Sequence, residues 1–374
     1  MSDLLETCPG PGAWRVDWTA LQEAFPWVHA LHVCPQDPSY HGEGDVGVHT
    51  RMVLEAMASL ESFRALSERD RKTVYLACLL HDVAKPATTI QGADGRWTSP
   101  AHARKGAIRS RRLLYELAVP FALREAVVAL VHHHEVPFYL VDRDDAERVA
   151  LRVSQTARCD LLALVAQADA LGRICAEQGR LLDQIALFRE MCVELGCWQE
   201  PFRFPSDHSR FEYFRVAHRS PRHEAFDDTR ATAVILSGLP GAGKDRWVEA
   251  NAQGIAVVSL DDIRRGMGVS PKEQQGSVAA AAREMARTHL RRGEGFVWNA
   301  TNVSRDVRQA CIALAADYRA RVRVVYLEVP LERLRKQNRE REHPAPEDVI
   351  DRLLDRWQIP DLTEAHQVEL VVED

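Results

Sequence analysis

The chain has 374 residues, 46% hydrophobic and 27% charged, with a formal net charge of -6 at pH 7. That length is about twice the usual size of one domain and supplies apolar residues for two cores, which excludes a single small module. The composition excludes a disordered chain, and the acidic balance excludes a global pull toward nucleic acid, leaving only local basic stretches such as Arg104–Arg112 and Arg333–Arg341.

The opening MSDLLETCPGPGAW lacks a basic flank followed by an apolar run, and no stretch of about eighteen uncharged apolar residues occurs, so a cytoplasmic chain without membrane association is expected. The eight cysteines include no C-x-x-C pair, and most sit inside apolar helical patterns. They read as small buried hydrophobes in a reducing compartment, rather than as a disulfide frame or a zinc site.

From Val46 to Gly196 apolar residues recur at helical spacing, as in Val46, Val53, Leu54, Met57 and in Val74, Ala77, Cys78, Leu79. Residues 1–200 are therefore predicted to form an all-helical domain. Aromatic, proline, histidine and charged residues then break the pattern, and residues 201–230 read as a connecting segment. Beyond it, short β-type runs at Ala233–Leu236, Ile255–Ser259, Gly295–Trp298 and Arg323–Leu327 alternate with helical ones. That alternation predicts an α/β domain with a parallel sheet over residues 231–374, and so a multidomain chain, all-α then α/β.

The helical half carries His49, the pair His81 and Asp82, His102, the run His132, His133, His134, and Asp169, each on or beside a predicted helix. Imidazole nitrogens and carboxylate oxygens together suit transition-metal ions, and helices can deliver them to one cleft from several sides. Taken singly, each histidine would more often be a packed core residue. The ordered set argues for metal binding. A divalent ion lowers the pKa of bound water and polarises a phosphoryl oxygen, which permits attack on a phosphoester near neutral pH. Lys85, one helical turn beyond His81, is placed to hold a phosphate, with Arg104, Lys105 and Arg109 as a further basic face.

In the second half, AVILSGLPGAGK is a strand running into a glycine loop at a helix start, which fits G-x-x-x-x-G-K. Gly238, Gly241, Ala242, Gly243, Lys244 and Asp245 are the expected nucleotide-binding residues, their amides wrapping phosphates while Lys244 neutralises them. Asp245 stands where a serine or threonine hydroxyl normally meets magnesium, and a carboxylate there calls for an ion or water between it and the phosphates. Downstream, SLDDIR puts Asp261 at a strand's carboxyl end, where it can take a proton from an attacking hydroxyl, with Arg264 nearby to fix an acceptor phosphate. Arg335 and Arg339 lie four apart on one helix face, so both can reach one anion.

The segments HGEGDVGVHTRMVLEAM, LACLLHDVAKP, AHARKGA, VHHHE and LVAQADALG, spanning Tyr40 to Gly172, resemble the HD phosphohydrolase superfamily. The resemblance implies His49, His81, Asp82 and Asp169 as ligands of one ion and His102, His133 and His134 as support for a second. The last two of the three histidines are chosen because Glu135 follows them. GLPGAGKD, SLDDIR, WNATN and the later arginine helix resemble the polynucleotide kinase branch of P-loop phosphotransferases over Ala231–Asp374. That resemblance implies Asp261 as general base, Arg264 as a contact to the acceptor strand, and Arg335 with Arg339 as lid contacts to donor phosphates.

The order of the two modules resembles bacterial HD-Pnk end-healing enzymes. The activities so implied are a 5'-hydroxyl kinase using ATP or another nucleoside triphosphate with Mg2+, and removal of a 2',3'-cyclic or terminal phosphate with one or two divalent transition-metal ions. The implied partners are RNA or DNA strand ends, and a nucleic-acid ligase in the same pathway. Two alternatives share the motifs: an HD nucleotide phosphohydrolase fused to a small-molecule kinase, and a nucleotide sensor without turnover.

Overall fold

The computed structural model describes residues 4–269 and 275–373. The chain divides into two units, Met1–Phe202 and Arg203–Asp374.

In the first unit, α1 (Val46–Ser59) starts where the Asp45 carboxylate accepts a 2.8 Å hydrogen bond from the Val48 amide. Its buried face carries Val46, Val53, Leu54 and Met57, and His49 lies on it. Helix α2 (Glu68–Leu80) is capped by Ser67 and is buried without a break from Thr73 to Leu80. A helix apolar on all sides belongs at the centre of a core, so the His81–Asp82 pair emerges from the interior and not from a surface turn. A hairpin of β1 (Ile90–Gln91) and β2 (Trp97–Thr98), turned by Gly95 at φ +80°, interrupts the expected all-helical pattern. There follow α3 (His102–Glu116), α4 (Phe121–His133), α5 (Ala146–Ser154), α6 (Cys159–Leu171) and α7 (Gln178–Glu194). Helix α6 is also buried almost all round. At its end, a Cβ on Gly172 would lie 2.7 Å from the Val53 amide nitrogen. Glycine therefore lets α6 close onto α1, which brings Asp169 beside His49.

The second unit begins with α8 (Asp207–Arg215), inside the segment expected to be a connector. Phe211 of this helix is buried in the same core as Ala233, Ile235 and Trp298, so apolar burial assigns the segment to the second unit. After β3 (Ala231–Ser237) come α9 (Lys244–Asn251), β4 (Ala256–Ser259), α10 (Leu260–Gly266), α11 (Gln275–Arg291), β5 (Phe296–Asn299), α12 (Arg305–Asp317), β6 (Ala320–Glu328), α13 (Leu331–Arg339), α14 (Glu347–Leu354) and β7 (Gln367–Val372). The strands form a five-stranded parallel sheet in the order β4-β5-β3-β6-β7. Strand β7 was not among the expected strands. It lies at the edge and is only partly buried, so its sequence lacks a continuous apolar run. Because β4, β5 and β3 are neighbours, their carboxyl ends deliver Asp261, Asn299 and the glycine loop to one edge of the sheet. Among the described residues no helix is long and apolar enough to cross a membrane.

Candidate active sites

In the helical unit, His49, His81, Asp82, His102, His134 and Asp169 converge. His49 Nε2 lies 3.1 Å from Asp169 Oδ1 and 3.3 Å from His81 Nε2. His81 Nε2 is 3.2 Å from Asp82 Oδ2, and His102 Nε2 is 3.4 Å from Asp82 Oδ1 and 3.4 Å from His134 Nε2. Two donor groups result, His49–His81–Asp82 and Asp82–His102–His134, and Asp82 belongs to both. Its two oxygens face different histidines, so the carboxylate could serve both groups.

The fit to metal ions follows from hydrogen bonding. The Nδ1 atoms of His81, His102 and His134 lie 2.8, 2.9 and 2.8 Å from the carbonyl oxygens of Cys78, Ser99 and Val131. A carbonyl only accepts, so each Nδ1 carries a proton and each ring turns its Nε2 inward, the atom that offers a lone pair to a cation. Lone pairs on imidazoles and carboxylates then face one another across about the span that a bound divalent ion bridges. Both Asp82 oxygens are buried, Oδ2 beside His81 and Lys85 and Oδ1 beside His102. Burial would raise the carboxyls of Asp82 and Asp169, but His81 and Lys85 for the first, and Arg173 and His49 for the second, hold them well below the usual range. Burial and the neighbouring His81 push His134 down to about 3, which keeps its lone pair available.

The structure does not bring His133 to this cluster. Its Nε2 lies 3.1 Å from Thr156 Oγ1, and its ring packs on His132. Adjacent helical side chains diverge by about 100°, and His134 stands three residues after the buried Val131, on the inward face. The histidine run is thus corrected to one inward residue, His134.

Lys85 sits with Nζ 2.8 Å from Asp82 Oδ2 and donates to Gln36 Oε1 at 2.7 Å. It also lines a cleft of about 360 Å3 with His102, Glu135, Arg173, Tyr40 and Trp97. Two contributors escaped the sequence reading. Glu43 Oε1 lies 2.8 Å from His49 Nδ1 and 2.8 Å from His41 Nδ1, so it orients His49. Burial opposes its charge, but His41 and His49 hold the carboxyl well below its ordinary value. Arg173 grips Asp169 through two hydrogen bonds of 2.9 and 2.7 Å. Its signal was a cation one helical turn after the last acidic residue of the set.

In the second unit, Gly241 (φ +86°) and Gly243 (φ +94°) turn the loop, and Gly243 caps α9. A Cβ on Gly241 would lie 2.5 Å from the Leu334 carbonyl oxygen, so glycine is what lets α13, the helix of Arg335 and Arg339, lie against the loop. Gly238 is equally tight, with a Cβ position 2.6 Å from the Leu327 carbonyl, and Ala242 packs into the sheet core. Lys244 Nζ donates to the carbonyls of Gly238 at 2.8 Å and Leu239 at 3.0 Å, folding back over the loop where phosphate oxygens would compete for it. Burial lowers its pKa to about 8 against the pull of Asp245.

Asp245 accepts from Asn299 Nδ2 at 2.9 Å and lies 3.5 Å from Arg341. Asp261 and Arg264 pair with each other on α10, and the Asp261 charge also acts on Lys244. Arg335 is half-buried with Nε 3.6 Å from Glu347, whereas Arg339 is exposed on the same helix.

Comparison with known proteins agrees with this division. Residues 46–174 match the HD domain family, and residues 234–360 match the AAA domain family. The Multifunctional CCA protein of Halorhodospira halophila (strain DSM 244 / SL1) is 36% identical over 115 residues, 31% of this chain and 25% of that one. The Multifunctional CCA protein of Acidovorax sp. (strain JS42) is 32% identical over 163 residues, 42% of this chain and 36% of that one. The chain thus spans 25% and 36% of the length of these two curated relatives. Residues 46–174 are thus similar to HD domains and residues 234–360 to AAA domains, the second with a glycine phosphate loop.

Proposed function

We propose that the chain heals broken RNA ends, phosphorylating a 5'-hydroxyl with a nucleoside triphosphate and removing a 2',3'-cyclic or terminal phosphate from the opposite end. The observation that carries this reading is the presence, on one chain, of an Asp82-bridged histidine cluster and of a phosphate loop served by Lys244 and Asp261. Strand breakage by 2'-hydroxyl attack leaves both defects together, so one chain with both chemistries answers one kind of damage.

In the helical unit, His49, His81, Asp82 and Asp169 would hold one divalent ion, and Asp82, His102 and His134 a second. Such ions, when bound, supply an activated water and polarise the phosphoryl oxygens. Lys85 and Arg173 offset negative charge at the cleft wall, and Tyr40 with Trp97 offers aromatic surface to a terminal base. In the second unit, the loop amides and Lys244 bind the triphosphate with Mg2+, Asp261 accepts the proton of the attacking hydroxyl, and Arg264 steadies the acceptor. Arg335 and Arg339 meet the donor phosphates when the lid helix closes on them.

The test is incubation with 5'-hydroxyl RNA ending in a 2',3'-cyclic phosphate, together with ATP and a panel of divalent metals. Lys244→Ala should abolish 5' labelling and leave 3' phosphate release, and Asp82→Ala should do the reverse. Preference for free nucleosides over oligonucleotides in both reactions would discard the RNA assignment.

A further inference from the structure

Three of the cysteines converge outside the histidine cluster. Cys159, Cys192 and Cys197 are 0%, 0% and 1% exposed, and their sulfur atoms all lie within 4.8 Å of one another. Backbone hydrogen bonds build the group. Gly196, at φ +72°, turns the chain after α7 so that the Cys197 amide donates to the Cys192 carbonyl at 2.8 Å. The Asp160 amide donates to the Trp198 carbonyl at 3.0 Å, which docks that turn against the start of α6, where Cys159 is the first helical residue. Ser154, also buried, donates its hydroxyl to the Leu151 carbonyl at 2.8 Å and accepts from the Phe202 amide at 3.2 Å.

We propose that Cys159, Cys192 and Cys197 form a structural site for one thiophilic metal ion of the zinc class. Tetrahedral thiolate coordination at about 2.3 Å places sulfurs about 3.8 Å apart, so the observed spacing needs only a small contraction. A water or the Ser154 hydroxyl, released from the Leu151 carbonyl, would take the fourth position. On binding, the three thiols release their protons to solvent, and three thiolates with one divalent ion leave a single negative charge. The partial positive charge at the start of α6 favours that charge. The ion would clamp the end of α7 to the start of α6. Because Asp169 is ten residues along α6, about 15 Å away, the clamp steadies the helix that carries this residue of the histidine cluster.

Cobalt(II) substitution of the full chain tests the site separately from the histidine cluster, because only sulfur ligands give a strong near-ultraviolet thiolate-to-cobalt band. The expected result is such a band saturating at one cobalt per chain, retained in Asp82→Ala and lost in Cys197→Ser. Its absence from the unmutated, cobalt-saturated protein, or its persistence in Cys197→Ser, would overturn the proposal. Should Cys197→Ser fail to fold, Asp82→Ala loaded with zinc decides the matter: a mercurial thiol reagent should release one zinc per chain, and no release refutes the site. Fewer than eight titratable thiols in freshly purified, denatured, unreduced protein would also refute it, in favour of a disulfide.

Discussion

Asn299 at the end of β5 donates a 2.9 Å hydrogen bond to Asp245 at the start of α9. In P-loop enzymes a serine or threonine hydroxyl on the loop and a carboxylate from a strand serve magnesium together. Here the pair still contains one carboxylate, but its places are exchanged, with the acid on the loop and the neutral amide at the strand end. Asn299 thus fixes the carboxylate that would face the ion. Asn299→Ala should weaken magnesium dependence of phosphoryl transfer by roughly 10- to 100-fold. The exchange Asp245→Ser with Asn299→Asp should recover most of what Asp245→Ala loses. A magnesium titration reads both, and an exchange variant as inactive as Asp245→Ala would reject the shared role.

Lys244 gives a pH-dependent expectation. Burial, assisted by Arg341, lowers it from 10.5 to about 8, while Asp245 and Asp261 pull the other way. The folded chain therefore holds this proton less tightly than the unfolded chain does. Between those values stability should rise with pH as the buried charge is discharged, and below about pH 8 the penalty is fully present. A bound polyphosphate reverses the bias by favouring the charged lysine. Nucleotide affinity should then fall as pH rises past about 8, with a proton taken up on binding at pH above that value and little at neutrality. Calorimetry in buffers of different ionisation enthalpy measures that uptake, and an unchanged buffer dependence in Lys244→Met would assign it elsewhere.

What could be read from the sequence was whatever depends on local pattern. The apolar spacing of α1 and α2 and the glycine loop before Lys244 each show their structure within a dozen residues, so the order all-α then α/β followed directly. Strand β7 was missed because an edge strand needs no continuous apolar run, and α8 because Phe211 is committed to its core by residues distant in sequence. The cysteine group was hidden for a related reason. Cys159 is 33 positions before Cys192, and only the packing of α7 on α6 brings them together, the turn at Gly196 adding Cys197. The clustered histidines were legible as a set, while the register within His132–His134 depended on which side of α4 faces inward.

That register yields the sharpest expectation for the helical unit. His134 Nε2 faces His102 Nε2 at 3.4 Å and its Nδ1 is held by the Val131 carbonyl, so it is oriented as a ligand, whereas His133 is turned to Thr156. His134→Ala removes a donor from the group that shares Asp82, and His102 then loses the facing nitrogen at 3.4 Å. Loss of one such ligand should lower phosphoester hydrolysis by about 100-fold or more, on the scale of losing a catalytic metal contact. His133→Ala alters a contact with Thr156 outside the cluster and should leave hydrolysis within about 3-fold, any effect on stability being of the ordinary size for a partly exposed site. Manganese titrations of both variants separate the outcomes, since a donor loss shifts the metal concentration needed for half activity and a packing loss does not. Equal losses in the two variants, with equal shifts in that concentration, would mean that α4 presents a different histidine to the substrate.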